Sequence, residues 1–183
     1  MERPVYRYSS SSSDTNVPPP SYVCVRYDLS CFRGSTVVWT DTGPRPIETI
    51  LPGDRVLSQN ISSGELAYKL VQQVTKRNPS PMMKITLGDE RILSTLGHPF
   101  WVVGRRWVMA KHLQPGCVLH TIPGPRTIDK VEQLPAAKEW YEFSYNLQVA
   151  DFHTFFVGAN QVLVHHLSML SILDEGSSQV PGL

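Results

Sequence analysis

The sequence has almost no excess of charge of either sign. Seventeen Lys and Arg residues face sixteen Asp and Glu residues, a formal net charge of +1 over 183 residues. That balance argues against binding to nucleic acid or anionic membranes through net positive charge. No apolar run approaches the roughly 18 residues of a membrane span, and the N-terminal stretch lacks the apolar core of a secretory signal. We therefore expect no nucleic-acid and no membrane partner.

Cysteine is scarce and odd in number. The three cysteines, Cys24, Cys31 and Cys117, cannot pair completely, which excludes a closed disulfide framework. The sequence contains no Cys-x-x-Cys motif and no paired histidine spacing, so neither a zinc site nor another cofactor is predicted. Cys24 and Cys117 are interpreted as small buried packing residues. Cys31 is the thiol that needs a further explanation.

Helical periodicity is nearly absent, apart from one short turn near Ala110–Leu113. Instead, twelve glycines and fifteen prolines mark frequent turns between short runs of β-branched and aromatic residues. The strand-like runs are Thr36–Thr40, Arg55–Gln59, Met83–Leu87, Val118–Ile122, Ser144–Val149 and Gln161–His165. Many short strands with regular turn signals are typical of an all-β sandwich or barrel-like fold.

The two ends of the chain differ in composition from the middle. A serine run at 9–13 and a proline triplet at 18–20 predict a disordered leader or linker over residues 1–30. Within it, Tyr22–Tyr27 is expected to be an extended approach to the domain. Residues 167–183 are expected to be a short C-terminal tail. One domain, over residues 31–166, lies between them.

A weak internal repeat divides this domain. Ile50–Leu57 resembles Leu113–Leu119, and each copy places a Pro-Gly turn before a strand. Two such copies predict two β subunits related by pseudo-two-fold symmetry.

One cysteine and three histidine-bearing segments bracket the domain. Cys31 lies at its start, His98 follows a strand, and His153 and the pair His165 and His166 lie near its end. These residues are the raw material for an activated thiol. Each also has a structural interpretation, since a histidine can cap a turn or be a satisfied core residue. Adjacent residues on a strand point to opposite faces, so only one of the last two is expected to face a site shared with Cys31.

Taken in order, these segments resemble the Hint module shared by inteins, hedgehog autoprocessing domains and bacterial pretoxin-type proteins. The similarity runs from Cys31 to His166 and is greatest to the bacterial pretoxin type. Its motifs are Cys-Phe-Arg-Gly-Ser from Cys31, Pro-Ile-Glu with Pro-Gly-Asp-Arg-Val-Leu up to Leu57, Thr95-x-x-His98-Pro-Phe, Tyr145-Asn-Leu-x-Val with His153-Thr-Phe-Phe-Val, and Val-Leu-Val-His165. The resemblance implies an intein-like horseshoe of short strands. The sequence leaves the compartment open, with a bacterial cytoplasmic protein and part of an exported protein as the two expectations.

The chemistry that the resemblance implies is autoprocessing. The thiol of Cys31 would attack the carbonyl of Ser30 and convert the peptide bond into a thioester, an N-to-S acyl shift. His98 would donate a proton to the departing amide nitrogen, and the Thr95 hydroxyl would orient the bond or the developing oxyanion. His153 would be a second proton carrier near the downstream junction. The substrate is the protein's own polypeptide, with an upstream cargo domain, and water or an external thiol would resolve the thioester.

The sequence departs from the splicing pattern at its end. Splicing inteins end in His-Asn, and the Asn side chain cyclises to release the downstream segment. His165 matches the penultimate histidine, but His166 stands in the Asn position, and imidazole cannot form the cyclic imide. Leu167 offers no acyl acceptor, and Asn146 replaces an Asp of many inteins. We therefore expect cleavage at the N-terminal junction alone, without C-terminal cleavage or splicing.

Two other functions fit the same residues. One is a catalytically silent Hint fold that serves as an interaction or structural module, for which the altered residue His166 is an argument. The other is a cysteine hydrolase that acts in trans, which requires a substrate cleft and multiple turnovers. A single-turnover, cysteine-dependent autoproteolytic domain is the leading hypothesis.

Overall fold

The computed structural model describes residues 30–104, 106–136 and 143–166, so the expectations for Cys24, Tyr22–Tyr27 and the C-terminal tail lie outside the described residues. Fifteen strands and two short 3-10 helices make up this part of the chain. The strands are β1 (Phe32–Arg33), β2 (Val37–Thr40), β3 (Gly43–Pro46), β4 (Arg55–Gln59), β5 (Leu66–Arg77), β6 (Met82–Leu87), β7 (Glu90–Thr95), β8 (Pro99–Trp101), β9 (Trp107–Met109), β10 (Val118–Leu119), β11 (Arg126–Thr127), β12 (Lys130–Leu134), β13 (Ser144–Val149), β14 (Thr154–Val157) and β15 (Val162–His165). The 3-10 helices are Ile47–Thr49 and Ala110–His112. The all-β prediction is confirmed.

The strands that sequence predicted best are those where β-branched and apolar residues alternate between clear turns. Arg55–Gln59 and Ser144–Val149 agree residue for residue with β4 and β13. The predicted strand Val118–Ile122 is shorter, because β10 ends at Leu119 and only Thr121 makes an isolated bridge beyond it. None of the helices in the described part of the chain is long and apolar enough to cross a membrane.

One sheet contains most of the strands. Its order is β12-β6-β7-β1-β13-β5-β4-β2-β14-β15-β8-β9, with β3 paired to β2, while β10 and β11 form a separate two-stranded sheet. The long strand β5 connects the two halves of this sheet, one running from β12 to β13 and the other from β4 to β9. Leu66–Leu70 pair with β4, and Val71–Arg77 pair with β13, with a bulge at Gln148 and Val149. All of these pairings are antiparallel, as expected for strands joined by short turns.

The internal repeat corresponds to two copies of one local structure. Each copy is a 3-10 helix, a Pro-Gly turn and a strand, and the glycines Gly53 and Gly116 take φ angles of 100° and 90°. The equivalent backbone hydrogen bonds are Gly53 N to Val71 O (2.9 Å) with Val71 N to Asp54 O (2.8 Å), and Gly116 N to Ile128 O (2.8 Å) with Ile128 N to Cys117 O (2.8 Å). These matched bonds support the predicted pseudo-two-fold relation.

The core lies where the two halves meet. The fully buried aromatic rings Phe32, Phe100 and Phe155 come from β1, β8 and β14 and pack edge to face, with ring centroids 6.1 Å apart for Phe32 with each of the others. Burying one such ring contributes about 1.5–3 kcal/mol to folding. Phe32 belongs to β1 and directly follows Cys31. Its packing in the core therefore fixes the backbone next to Cys31.

Candidate active site

Cys31 lies at the entrance to β1, the short strand held between β7 and β13. It is almost completely buried, with 1 % of its surface exposed, and Ser30 is 5 % exposed. The backbone N–H of Cys31 donates a hydrogen bond to Oγ1 of Thr95 at 2.9 Å, and the N–H of Thr95 donates one to the carbonyl of Cys31 at 2.8 Å. The structure therefore brings Thr95 to the nitrogen of the Ser30–Cys31 peptide bond.

The position of His98 follows from a tight turn after β7. The N–H of His98 donates to the carbonyl of Thr95 at 3.2 Å, and the chain then enters β8 at Pro99. The carbonyl of His98 accepts the N–H of Ala110 at 2.9 Å. This turn places the imidazole against Phe32, the residue that follows Cys31.

Three phenylalanine rings pack around the imidazole of His98. Its centroid is 4.0 Å from the ring of Phe32, 5.8 Å from Phe100 and 6.3 Å from Phe155. Both of its ring nitrogens are buried and have no hydrogen-bond partner among the described residues. Burial, followed by the nearby imidazoles of His165 and His166, lowers the pKa of His98 well below its ordinary value. The ring is therefore neutral at physiological pH.

The thiol of Cys31 has two neighbours that the sequence analysis did not single out. Burial raises the pKa of the Cys31 thiol, while the hydroxyl of Ser144 and the positive charge of Arg77 lower it. Ser144 is paired with Arg33 on β1 and with Arg77 on β5. These contacts depend on pairing between strands far apart in the sequence, so no local motif could have revealed them.

The three C-terminal histidines form a second group. The ring of His153 lies 6.3 Å from that of His165 and 5.0 Å from that of His166, and the last two rings are 5.6 Å apart. The expectation that His165 and His166 point to opposite faces is wrong, because β15 ends at His165 and the alternation of a strand does not continue. Among the described residues, no group of three His, Cys, Asp or Glu side chains has the geometry to hold a metal ion.

Burial keeps the imidazoles of His165 and His166 neutral. It lowers the pKa of His165 to about 4, and His153 contributes to this shift. Burial and the neighbouring imidazoles of His165 and His153 lower the pKa of His166 to about 3. The indole of Trp107 lies edge-on to His165 with centroids 5.1 Å apart, a second contact that the sequence motifs did not indicate.

The two positions that depart from the splicing pattern have defined local roles. Nδ1 of His166 accepts the backbone N–H of Val149 at 3.0 Å, and the N–H of His166 donates to the carbonyl of His153 at 3.0 Å. Oδ1 of Asn146 accepts the N–H of its neighbour Leu147 at 2.9 Å. His166 thus holds the end of the domain against β13, while the side-chain oxygen of Asn146 bonds within its own strand.

The predicted site residues therefore form two adjacent groups. Cys31 and Thr95 meet at the start of β1, with the imidazole of His98 against the neighbouring Phe32, and His153, His165 and His166 meet at the end of β15. His98 connects them, because its pKa responds to both His165 and His166, and Phe155 of the intervening strand touches its ring. A thiol and a hydroxyl at one peptide bond, with a neutral imidazole against the next residue, are groups that can carry out acyl transfer.

The fold and the site together define a Hint-type domain of the kind found in inteins. Residues 37–167 match the model of the pretoxin Hint domain, a match that begins just after the segment containing Cys31. The chain belongs to the pretoxin Hint domain family, as the sequence motifs predicted. No curated protein matches the chain at a significant level of sequence similarity.

Solved structures show the same architecture. A bacterial intein-like domain from Clostridium thermocellum is 36 % identical, with a TM-score of 0.69 over 74 % of this chain and 97 % of that one. The gp41-1 intein is 26 % identical, with a TM-score of 0.60 over 74 % and 98 % of the two chains. A DnaB intein from Synechocystis, 15 % identical, has a TM-score of 0.64 over 76 % and 99 % and supports the fold alone.

Proposed function

We propose that the protein is a single-turnover autoprocessing domain whose Cys31 cleaves the chain at the Ser30–Cys31 bond. The observation that carries this proposal is the 2.9 Å hydrogen bond from the N–H of Cys31 to Oγ1 of Thr95. It holds a hydroxyl at the nitrogen that must become the leaving group, beside a buried thiol. Domains of this family act on their own polypeptide within a larger protein, and residues 1–30, with a cargo that precedes them, would be the part released.

The proposed step conserves all atoms. Sγ of Cys31 attacks the carbonyl carbon of Ser30, the C–N bond breaks, and a thioester and a free amine on Cys31 result. The thiol proton must leave, and the amine nitrogen must gain one. His98 is suited to transfer this proton. A neutral imidazole can accept the proton from the thiol and, once charged among apolar rings, releases it readily.

The acyl shift needs a second nucleophile to become cleavage. A thioester is less stable than an amide, so water or an external thiol must trap it to drive the reaction forward. The three-histidine group supports no equivalent reaction downstream, because His166 has no carboxamide to form the imide. We therefore propose cleavage at the N-terminal junction alone. His165 and His153 would occupy the C-terminal site but take part in no cleavage there.

Thiol-induced cleavage tests this function. The full chain with an N-terminal tag is incubated with and without dithiothreitol and followed by intact mass. The expected result is thiol-accelerated loss of the mass up to Ser30, together with a fragment that begins at Cys31. Cys31→Ala is the negative control, and Cys117→Ala, which removes a half-buried thiol elsewhere, should cleave normally. A chain that stays intact and matches Cys31→Ala would refute the proposal.

A catalytically silent module is the second candidate, favoured by one observation. Burial raises the pKa of the Cys31 thiol, which disfavours the reactive thiolate. In that case Cys31→Ala would change neither the mass pattern nor the binding of partners. An added peptide or thioester that is turned over many times would instead indicate a hydrolase acting in trans.

A further inference from the structure

A row of polar residues crosses three central strands beside Cys31. Ser144 on β13 is directly opposite Arg33 on β1 and directly opposite Arg77 on β5. Directly opposed residues share a face of the sheet. Cys31 lies one residue before β1, and its thiol faces the Ser144 hydroxyl and the charge of Arg77. The row therefore lies on the side of the sheet that carries the thiol.

Two polar atoms in this row are buried without partners. Oγ of Ser144, a residue 1 % exposed, and Nε of Arg77 have no hydrogen-bond partner among the described residues. Burying an unpaired donor is unfavourable, and native proteins contain few such groups, so a pair in direct opposition needs an explanation. Both groups can donate a hydrogen bond, and an anion at the Cys31 sulfur, which the Ser144 hydroxyl faces, would accept one.

We propose that Ser144 and Arg77 form a thiolate-stabilising pair for Cys31, in which the Ser144 hydroxyl donates to the sulfur and the guanidinium of Arg77 supplies the positive charge. Ser144 acts on the reacting atom itself, while Arg77 is a positioning residue that acts through its charge and through Ser144. The pair lowers the energy of the form of Cys31 that attacks a carbonyl. Donors fixed before the charge develops are the most effective kind of electrostatic stabilisation.

The surroundings of the thiol support this assignment. Burial alone raises the pKa of Cys31, and the two groups that oppose this effect are Ser144 and Arg77. The sheet register, continued by one residue, brings Thr95 of β7 and Asn146 of β13 opposite Cys31, and neither side chain is charged. On its own strand, Arg33 carries a charge of the same sign as Arg77. The thiolate thus faces hydroxyls, an amide and cations.

The thiol can be titrated without any cleavage. In a chain with Cys24→Ala and Cys117→Ala, the ultraviolet absorbance of the Cys31 thiolate is followed against pH. Arg77→Met should raise the thiol pKa by about one unit, a tenfold loss of thiolate at a fixed pH below it. Arg77→Lys should restore most of the loss. Ser144→Ala should shift the pKa in the same direction and carries the test if Arg77→Met does not fold.

Lys76→Met is the matched control. Lys76 precedes Arg77 on β5, but its Nζ lies over the ring of Phe143, 3.9 Å from the centroid, on the other face of the sheet. Removing this charge should leave the Cys31 titration unchanged. If both Arg77→Met and Ser144→Ala fold, as tryptophan fluorescence reports, and neither moves the titration, the thiolate pair is refuted.

The effect of the thiolate-stabilising pair on cleavage rests on the proposed function, but the experiments distinguish failure of the pair from failure of autoprocessing. A shifted titration in a chain that never cleaves would uphold the pair and refute autoprocessing. Normal titration of Arg77→Met with slowed cleavage would contradict the pair and assign Arg77 to the oxyanion of the Ser30 carbonyl instead. In a cleaving chain, the acid limb of the pH–rate profile should move upward with Arg77→Met and return with Arg77→Lys.

Discussion

The ring of Phe32 lies 4.0 Å from the imidazole of His98, so the residue that follows the proposed nucleophile touches the proposed proton carrier. The two rings are tilted by 53°, and Phe32 is fully buried. Packing between these side chains therefore sets the distance between the Cys31 backbone and His98. The core of the domain and the geometry of its site depend on the same contact.

Phe32→Leu tests this coupling. The variant keeps an apolar side chain but loses the ring contact and leaves a small cavity, so we expect a loss of stability of about 1–3 kcal/mol. Cleavage should slow in addition, even where the variant is fully folded, because His98 loses its support. Urea denaturation and the thiol-induced cleavage rate measure the two effects. A variant that is destabilised yet cleaves at the normal rate would separate the core from the site.

Thr95 is expected to contribute through its hydroxyl. Thr95→Val keeps the shape but removes the oxygen that accepts the N–H of Cys31, so we expect cleavage to slow by about 10–100-fold. Thr95→Ser retains the oxygen and should keep most of the rate. The measurement is the rate of thiol-induced scission by mass. Equal rates for Thr95→Val and Thr95→Ser would remove the hydroxyl from the mechanism.

Glu90 joins the two halves of the site. Its carboxylate accepts the backbone N–H groups of Ala159 and Asn160 and the Asn160 side-chain amide, linking β7 to the turn before β15. Gly158, with a φ of 75°, brings this turn so close that a Cβ there would contact Glu90. Glu90 thus connects the strand that ends in Thr95 to the hairpin that carries His165.

Glu90→Gln should destabilise the fold by about 1–2 kcal/mol, because one amide oxygen cannot replace a carboxylate that accepts three N–H groups. The change is measured as a lower urea midpoint. Glu65→Gln, at an exposed position of the β4–β5 hairpin, serves as the control and should leave the midpoint unchanged. Equal urea midpoints for the two variants would contradict a stabilising role of the Glu90 carboxylate.

The sequence predicts this fold where the signal is local. β4 and β13 are short alternating runs between turn residues, and the repeated Pro-Gly turns reveal the pseudo-symmetry. β5 escapes prediction because its first half exposes Leu66, Tyr68 and Leu70 to solvent, which disrupts the usual pattern of buried apolar residues. Its length is set by partners on both sides, β4 and β13, rather than by its own residues.

The site divides in the same way. Cys31, Thr95 and His98 belong to contiguous motifs and are recognisable by type and order. Arg77 and Ser144 lie opposite each other only because β5 and β13 pair in this register. No sequence motif near either residue predicts the contact. The orientation of His166 depends on the end of β15, and strand ends are the least predictable boundaries.

Acid should destabilise the protein between about pH 6.5 and pH 4. The pKa of His165 is lowered to about 4 and that of His166 to about 3, whereas both titrate near 6.5 in an unfolded chain. In that interval the unfolded chain binds more protons, so stability is complete at higher pH and falls by about 1.4 kcal/mol per pH unit for each group. His166→Gln should reduce this slope. Urea midpoints by tryptophan fluorescence across the range measure it, and a flat profile would contradict the prediction.

His166→Asn is expected to restore scission after residue 166. The carboxamide nitrogen of Asn can attack its own carbonyl and form a five-membered imide, which imidazole cannot. The imidazoles of His165 and His153 lie beside this position. The Asn side-chain oxygen can also accept the N–H of Val149 that Nδ1 of His166 now accepts, so the substitution need not open the interface with β13.

Intact mass would reveal this scission as loss of residues 167–183, and the product would end in the imide, one water lighter than the hydrolysed chain. His166→Gln keeps a carboxamide on a longer chain that forms the imide less readily, so it should release much less of the segment. A second substitution, His165→Ala, should slow the reaction of His166→Asn, because imide formation needs a group to polarise the scissile carbonyl. If His166→Asn stays uncleaved while it is folded, the loss at this junction extends beyond a single residue, to the positions of His153 and His165.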